Sequence, residues 1–183
     1  MKNLILIAAI IVIGTATVTA QKVYTKNGLI SFYSTTKMED IKANNNQTLS
    51  VLNTQNGDFQ FSVLNKGFHF EKALMEEHFN ENYMESSKFP KSTFKGAITD
   101  LSKVDFKKDG TYNVTVKGDL AMHGVTKNIL VNGVISIKEG KITASSKFSI
   151  KLSDFNISIP GAVKGNIAEA IDITVNCKLD QKM

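Results

Sequence analysis

The chain has 183 residues, 42% of them hydrophobic and 21% charged, which is the composition of an ordinary globular domain. Its formal net charge is +5, and each of the 22 cationic residues is lysine, since the sequence contains no arginine. Arginine provides the bidentate contacts that favour recognition of phosphates and base edges. The composition therefore disfavours a nucleic-acid-binding function, and the scattered lysines indicate a solvated surface.

The first twenty residues have the pattern of a signal peptide. Lys2 supplies a positive charge, an unbroken apolar run of ten extends from Leu4 to Ile13, and Val18 to Ala20 fits a signal-peptidase site. An apolar run of this length is too short to cross a bilayer, which takes about 20 residues. We therefore predict that residues 1–20 are removed after Ala20, leaving a single domain over residues 21–183 in the periplasm or outside the cell.

Most of the mature chain alternates between apolar and polar residues, which is the pattern of half-buried β-strands. The clearest case runs from Tyr112 to Leu120, where apolar or small residues occupy every second position. A helix could not bring these positions to one side. The alternation predicts further strands at residues 22–34, 38–53, 59–64, 94–98, 129–137, 142–152 and 171–179. It also resumes briefly at Phe68 and Phe70, and residues 154–168 are expected to form a long loop.

Glycines mark the reversals between these strands. Asn56-Gly57 is the strongest hairpin signal, because it is typical of a type I′ turn in which both residues have positive φ. Gly67 predicts a β-bulge, and the polar run from Asn44 to Asn46 is expected to interrupt the second strand. Further reversals are marked at Asp109-Gly110, Gly124 and Glu139-Gly140.

The stretch from Glu71 to Gly96 contains a segment with helical spacing in a sequence that otherwise alternates. We predict a short amphipathic helix over Lys72 to Tyr83, and Pro90 ends any helical conformation. In a strand-rich chain such a helix is expected to act as a lid or plug at the mouth of a barrel. Its apolar stripe consists of Leu74, Met75, His78, Phe79 and Asn82, and its polar side, expected to be solvated, of Glu76, Glu77 and Glu81.

The number and order of these elements predict an all-β fold. About eight strands joined mostly by short turns can bury one apolar face either by packing on a second sheet or by closing into an antiparallel barrel, and closure also removes exposed strand edges. An interior of this size is either filled by side chains or holds one small elongated ligand. One inserted helix favours a barrel with a cover.

Two sequence blocks carry a resemblance to a known family. The first runs from Met75 to Phe79 (MEEHF) and continues through Tyr83, Ser86 and Ser87 to KFPKSTF at Lys88 to Phe94; the second is GDLAMHGVTK from Gly118 to Lys127. Together they resemble the YceI-like family of exported lipid-binding proteins, over about Lys22 to Leu179. The resemblance implies a lipocalin-like barrel whose apolar cavity holds a polyisoprenoid or a similar long-chain amphiphile, such as a fatty-acid-like ligand. Transient membrane contact and a homodimer are both compatible with it.

The chain is rich in phenylalanine, with eleven residues and no tryptophan, and many of these phenylalanines occupy alternating positions. Flat phenylalanine and flexible methionine suit a methyl-branched ligand without directional hydrogen bonds. The alternative is that these side chains simply fill a core. The predicted ligand-binding residues are Phe32, Phe59, Phe61, Phe68, Phe70, Met75, His78, Phe79, Phe94, Val114, Val116, Val131, Phe148 and Ile150.

The sequence gives no signature of catalysis, a cofactor or a metal. Neither an H-x-x-x-H, an H-E-x-x-H nor a C-x-x-C spacing occurs, and Cys177 is expected to be a small buried hydrophobe. We expect His78 to bond a backbone carbonyl that seats the helix, with contact to a ligand head group as the alternative, and His123 to be exposed or to stabilise a turn. Three functions stay open at this point: a carrier, a lipid- or quinone-linked stress enzyme acting at His78, and an interaction module with a filled core.

Overall fold

The computed structural model describes residues Lys22 to Met183, so the predicted signal peptide lies outside the described residues. The strands are β1 (Lys22–Thr35), β2 (Asp40–Asn53), β3 (Asp58–Leu64), β4 (His69–Phe70), β5 (Lys91–Ile98), β6 (Gly110–Met122), β7 (Val125–Lys138), β8 (Lys141–Lys151), β9 (Ala170–Leu179) and β10 (Gln181–Lys182). The α-helix, α1, spans Ala73–His78 and continues into a π-helical turn over Phe79–Tyr83. Short 3₁₀ turns cover Asn65–Gly67, Leu101–Lys103, Leu152–Phe155 and Gly161–Val163.

The long strands form a closed antiparallel barrel. The hydrogen-bonded order is β1-β2-β3-β5-β6-β7-β8-β9, and β1 closes the ring because it pairs with both β2 and β9. This confirms the predicted eight-stranded, lipocalin-like barrel with one short helix. The two-residue strand β4 pairs with β2, and β10, which the alternation did not predict, pairs with β1.

The predicted alternation places apolar side chains inside the barrel. On β6, Val114 and Val116 are buried, whereas Asn113 and Lys117, which flank them in the opposite phase, are exposed. Gly118, in the same inward phase, lies opposite Gly96 of β5, and a Cβ on Gly118 would come within 2.7 Å of the Phe94 ring. The two glycines therefore leave room inside the wall for that ring.

The type I′ prediction for Asn56-Gly57 is wrong. Only Gly57 has positive φ there, and the loop between β2 and β3 has four residues, closed by a 2.9 Å bond from the Gly57 amide to the Asn53 carbonyl. Two-residue turns with two positive φ angles occur instead at His123-Gly124 and Glu139-Gly140. The preference of Asn-Gly for a type I′ turn is not realised, because the register of β2 and β3 sets a four-residue loop in place of a two-residue turn.

A buried asparagine explains the outcome of two further local predictions. Strand β2 continues through the Asn44 to Asn46 segment, but its pairing with β1 shifts register between Asn45 and Thr48, so the predicted interruption takes the form of a local irregularity in the ladder. Asn45 itself is fully buried and its side-chain amide is satisfied. Its Nδ2 donates to the Leu64 carbonyl at 2.9 Å, and its Oδ1 accepts from the Gln47 amide at 2.8 Å. Gly67 lies in a 3₁₀ turn and forms no bulge; a Cβ there would come within 2.8 Å of Asn45 Nδ2.

The predicted helix is present, but it changes from α-helical to π-helical halfway along. After α1 ends at His78, the backbone widens into the π-helical turn, and Pro90 is followed directly by β5. Glu76 does not belong to a solvated side, as its Oε2 accepts the Phe70 amide at 3.2 Å and lies 3.5 Å from His69 Nδ1. The helix is thereby tied to β4 through a carboxylate, in addition to its apolar contacts.

Candidate functional site

An apolar cavity of about 510 Å³ occupies the interior of the barrel. Its volume falls in the range of small-molecule sites, roughly 300–1,000 Å³. The walls are almost entirely hydrophobic side chains from the long strands, and α1 and the loop between β8 and β9 surround its mouth. The inward residues therefore do not meet in the middle of the barrel.

The cavity lies between two hydrophobic clusters. One cluster contains Phe59 and Ile135, and the other, at the helix end, contains Phe32 and Phe155. Three side chains that line the cavity pack against both clusters, and we call the middle part of the cavity that they mark the waist: Phe61, Leu120 and Val175. A ligand that fills the cavity therefore contacts the residues of the waist.

Four phenylalanines hold the helical segment on the barrel. The rings of Phe32 and Phe79 stack with centroids 5.5 Å apart and planes 27° apart, and Phe68 and Phe70 contact both of them at centroid distances of 5.1 to 5.6 Å. Aromatic pairs in such arrangements contribute about 0.5–1.5 kcal/mol beyond area burial. This aromatic cluster forms one wall of the mouth.

Polar groups gather where the mouth meets solvent. Glu39 Oε1 lies 3.2 Å from Lys72 Nζ, and Glu39 Oε2 accepts from Asn166 Nδ2 at 3.1 Å. The hydrogen bond from Asn166, followed by the one from Lys72, holds the pKa of the Glu39 carboxyl below its usual value. Glu39 thus links the β1–β2 loop, the start of the helix and the β8–β9 loop around the opening.

All fourteen residues predicted to bind ligand line the cavity. That they contact a ligand stays a prediction. Sequence reasoning missed wall residues in the same alternating phase, and it had no signal for residues of the long loop. The missed residues include Ile30, Leu120, Ile129, Ile173 and Val175 on strands, and Ile157, Val163 and Ile167 in the loop.

The histidines exchange their expected roles. His78 lines the mouth and is exposed, and its side chain makes no hydrogen bond within the described residues, so it does not seat the helix through a backbone carbonyl. That kind of bond belongs to His123, whose side chain is 10% exposed. Its Nδ1 lies 3.0 Å from the Phe155 carbonyl oxygen and its Nε2 lies 2.8 Å from Glu85 Oε2. His123 therefore bridges the end of the helical segment and the β8–β9 loop.

Other reactive groups lie apart from the cavity. Cys177 is fully buried in the wall and does not line the cavity; burial raises the pKa of its thiol to about 11. Within residues 22–183, no group of three or more His, Cys, Asp or Glu side chains could hold a metal ion. Over the same residues, none of the helices has the length and apolar character needed to cross a membrane.

Solved structures with the same fold come from several bacteria. A polyisoprenoid-binding domain from Saccharophagus degradans, implicated in plant cell wall breakdown, superposes with a TM-score of 0.71 at 12% identity, covering 86% of this chain and 97% of that domain. BcnA of Burkholderia cenocepacia gives 0.64 at 14% identity, covering 81% and 94%. A YCEI protein of Campylobacter jejuni gives 0.57 at 14% identity, covering 100% of both chains. At these identities the likeness concerns the fold.

Sequence comparison supplies the family. No curated protein matches this chain. The model of the YceI-like domain, however, matches residues 15–179, which include the whole ring of eight long strands, the helical segment and the mouth. The extent of that match, on a barrel with this cavity, establishes that the chain belongs to the YceI-like family.

Proposed function

We propose that this protein is an exported, non-enzymatic carrier that binds a polyisoprenoid or another long-chain amphiphile inside its barrel. The observation that carries the proposal is the continuous apolar cavity of about 510 Å³. The family membership and the polyisoprenoid-binding relative from Saccharophagus degradans support a lipid-like ligand. Export is supported by the signal-peptide pattern of residues 1–20.

The cavity volume limits the length of chain that it can enclose. If a carbon-sized group takes about 30 Å³, the volume of one water molecule in the liquid, the cavity holds on the order of 15–20 carbons. Each methylene moved from water into the cavity contributes about 0.8 kcal/mol, so the cavity offers an enclosed chain an environment comparable to that of a lipid phase. A longer ligand would leave part of its chain outside the barrel.

The distribution of polar groups supports one orientation of the ligand. The walls are apolar, whereas Glu39, Lys72, His78 and Asn166 surround the mouth. Burying a polar head group without a hydrogen-bonding partner costs about 1–3 kcal/mol. The hydrocarbon chain is therefore expected inside and the head group at the mouth, where His78 is available for contact.

Mass spectrometry of organic extracts from natively purified protein tests the proposal. We expect a long-chain lipid to co-purify, and a ligand at 100 times its Kd should add about 2.7 kcal/mol to the free energy of unfolding, or roughly 5–10 °C in Tm. Ile173→Asp places a charge in the cavity wall and should abolish both effects, whereas Thr174→Asp, on the exposed side of the same strand, should not. Absence of any co-purifying lipid and of any Tm shift with added polyprenols would exclude the carrier.

A substitution at the mouth separates the carrier from the enzyme alternative. His78→Ala should leave chain binding within a few-fold of the unmodified protein, because His78 is exposed and the apolar walls are unchanged. Chemical conversion of an added lipid or quinone that disappears in His78→Ala would instead support an enzyme. The measurement is mass spectrometry of the ligand before and after incubation.

A further inference from the structure

The barrel wall is incomplete between β7 and β8. These strands pair only from Gly133 with Ser146 to Lys138 with Lys141, although β7 begins at Val125 and β8 continues to Lys151. Both unpaired halves remain attached to the barrel by their other edges, since β6 pairs with the whole of β7 and β9 pairs with β8 as far as Lys151. Residues 125–132 and 147–151 thus border a break in the sheet, which we call the slot.

The slot has defined ends. At its inner end, the Ser146 hydroxyl donates to the Asn132 carbonyl at 2.6 Å, just beside the last strand pair. At the mouth end, the His123 ring bonds the Phe155 carbonyl and Glu85, which separates the slot from the mouth. The five unpaired residues of β8 make the slot about 16 Å long, at about 3.3 Å per residue.

The cavity lies directly behind the slot. Inward side chains on both of its edges line the cavity, Ile129 and Val131 on β7 and Phe148 and Ile150 on β8. Deeper along β7 the inward Ile135 is only 1% exposed, whereas Ile129 and Val131 are half-buried. The break in the sheet therefore coincides with half-buried apolar residues of the cavity wall, although Ile150 is only 7% exposed.

A depression on the outer surface lies opposite the cavity, across the wall at the inner end of the slot. It lies on the outer surface of β6 to β9 and shares with the cavity the residues where strand pairing stops, among them Gly133, Val134, Ser145 and Ser146. Three of these four residues are glycine or serine, so the wall between the cavity and the depression is thin at this point. Leu130, on the outer side of the slot, is 65% exposed, which is unusual for a leucine on a polar strand face.

The slot is protected against taking up another strand. Lys147 and Lys151 lie on the exposed side of its β8 edge, and lysines on an edge are a common defence against strand addition. A hydrocarbon chain needs no backbone hydrogen bonds and meets apolar groups on both edges and at Leu130. The chemistry of the slot thus fits a chain and disfavours a peptide.

We propose that the slot is a lateral portal through which an alkyl or isoprenoid chain passes sideways between the cavity and a lipid surface. This inference rests on the proposed carrier function. The slot could also accommodate a chain that is longer than the cavity. The excess length of the chain would lie in the slot while the head group stays at the mouth. Loading then requires no displacement of the aromatic cluster that holds the helix.

Cross-linking across the slot tests the portal. Continuing the register of the paired region would place Leu130 opposite Ser149, and both side chains are exposed. The double variant Leu130→Cys, Ser149→Cys is joined with a bis-maleimide whose spacer can be cleaved by a reductant. The control is Ser136→Cys, Thr143→Cys, an outward pair in the region where the strands are already hydrogen-bonded.

The readout is the rate at which retinol, a fluorescent isoprenoid alcohol, moves from phosphatidylcholine vesicles into each protein. We expect the slot cross-link to slow loading at least tenfold relative to the control cross-link, and cleavage of the spacer to restore the rate. A smaller effect, or one that cleavage does not reverse, overturns the portal. If the unlinked proteins bind retinol normally in that case, the carrier proposal survives; if they bind no retinol, both proposals fail.

Discussion

Filling the waist of the cavity should shorten the longest ligand that the barrel can hold. Val175 is half-buried and packs against both hydrophobic clusters, so Val175→Phe places a ring in the passage between them. The substitution adds four carbons, which at about 30 Å³ each remove roughly 120 Å³. This is about a quarter of the 510 Å³ cavity, or close to one isoprene unit.

The expected loss of affinity follows from the carbons that can no longer be buried. At about 0.8 kcal/mol per carbon, four carbons correspond to about 3 kcal/mol, or a Kd weakened roughly 200-fold. The loss should appear for ligands that fill the cavity and vanish for shorter ones. A series of geraniol, farnesol and geranylgeraniol, each one isoprene unit longer than the last, locates the length at which affinity stops rising.

Displacement of a fluorescent apolar probe measures these affinities, and the absence of tryptophan removes one source of background. The matched control is Thr174→Phe, which adds a ring on the exposed side of the same strand. We expect the length limit to fall by about one isoprene unit in Val175→Phe and to stay unchanged in the control. An unchanged limit in Val175→Phe, or an equal loss of affinity for geraniol, would refute a binding site that passes the waist.

Four further predictions concern residues that support the barrel. Phe32→Ala should lower the free energy of unfolding by about 3–5 kcal/mol in urea titrations, because the aromatic cluster loses its central ring; a loss under 1 kcal/mol would contradict the packing. Asn65→Ala should cost about 2 kcal/mol or more by the same measurement, since it removes the amide that donates to the Phe89 carbonyl at 2.6 Å and accepts from the Ser92 hydroxyl at 2.9 Å. Burial raises the pKa of the Cys177 thiol from 9.0 to about 11, so Cys177 should not react with maleimide at neutral pH until the protein is unfolded. The folded protein holds the thiol proton more tightly than the unfolded chain does, so the neutral thiol contributes to stability below pH 9. The free energy of unfolding should therefore fall between about pH 9 and pH 11, and this fall should be absent in Cys177→Ala.

The sequence by itself determined which side of each strand is apolar. Period-two alternation is a local property of the backbone, so residues such as Val114, Phe148 and Ile150 could be assigned to the interior without knowledge of their neighbours. The helix at Lys72 to Tyr83 was equally readable, because its spacing breaks the alternation. The same information predicted the number of long strands, whereas closure into a barrel was inferred from the need to bury one apolar face and to remove strand edges.

Tertiary structure alone decided how those strands meet. The burial of Asn45 depends on a carbonyl in β3, and the break between β7 and β8 depends on where pairing stops, neither of which leaves a trace in local alternation. The polar mouth likewise joins Glu39, Lys72 and Asn166 from segments far apart in the chain. Alternation says which way a side chain points; which side chains then face one another, and whether they leave a void, follows from register and closure around the whole ring.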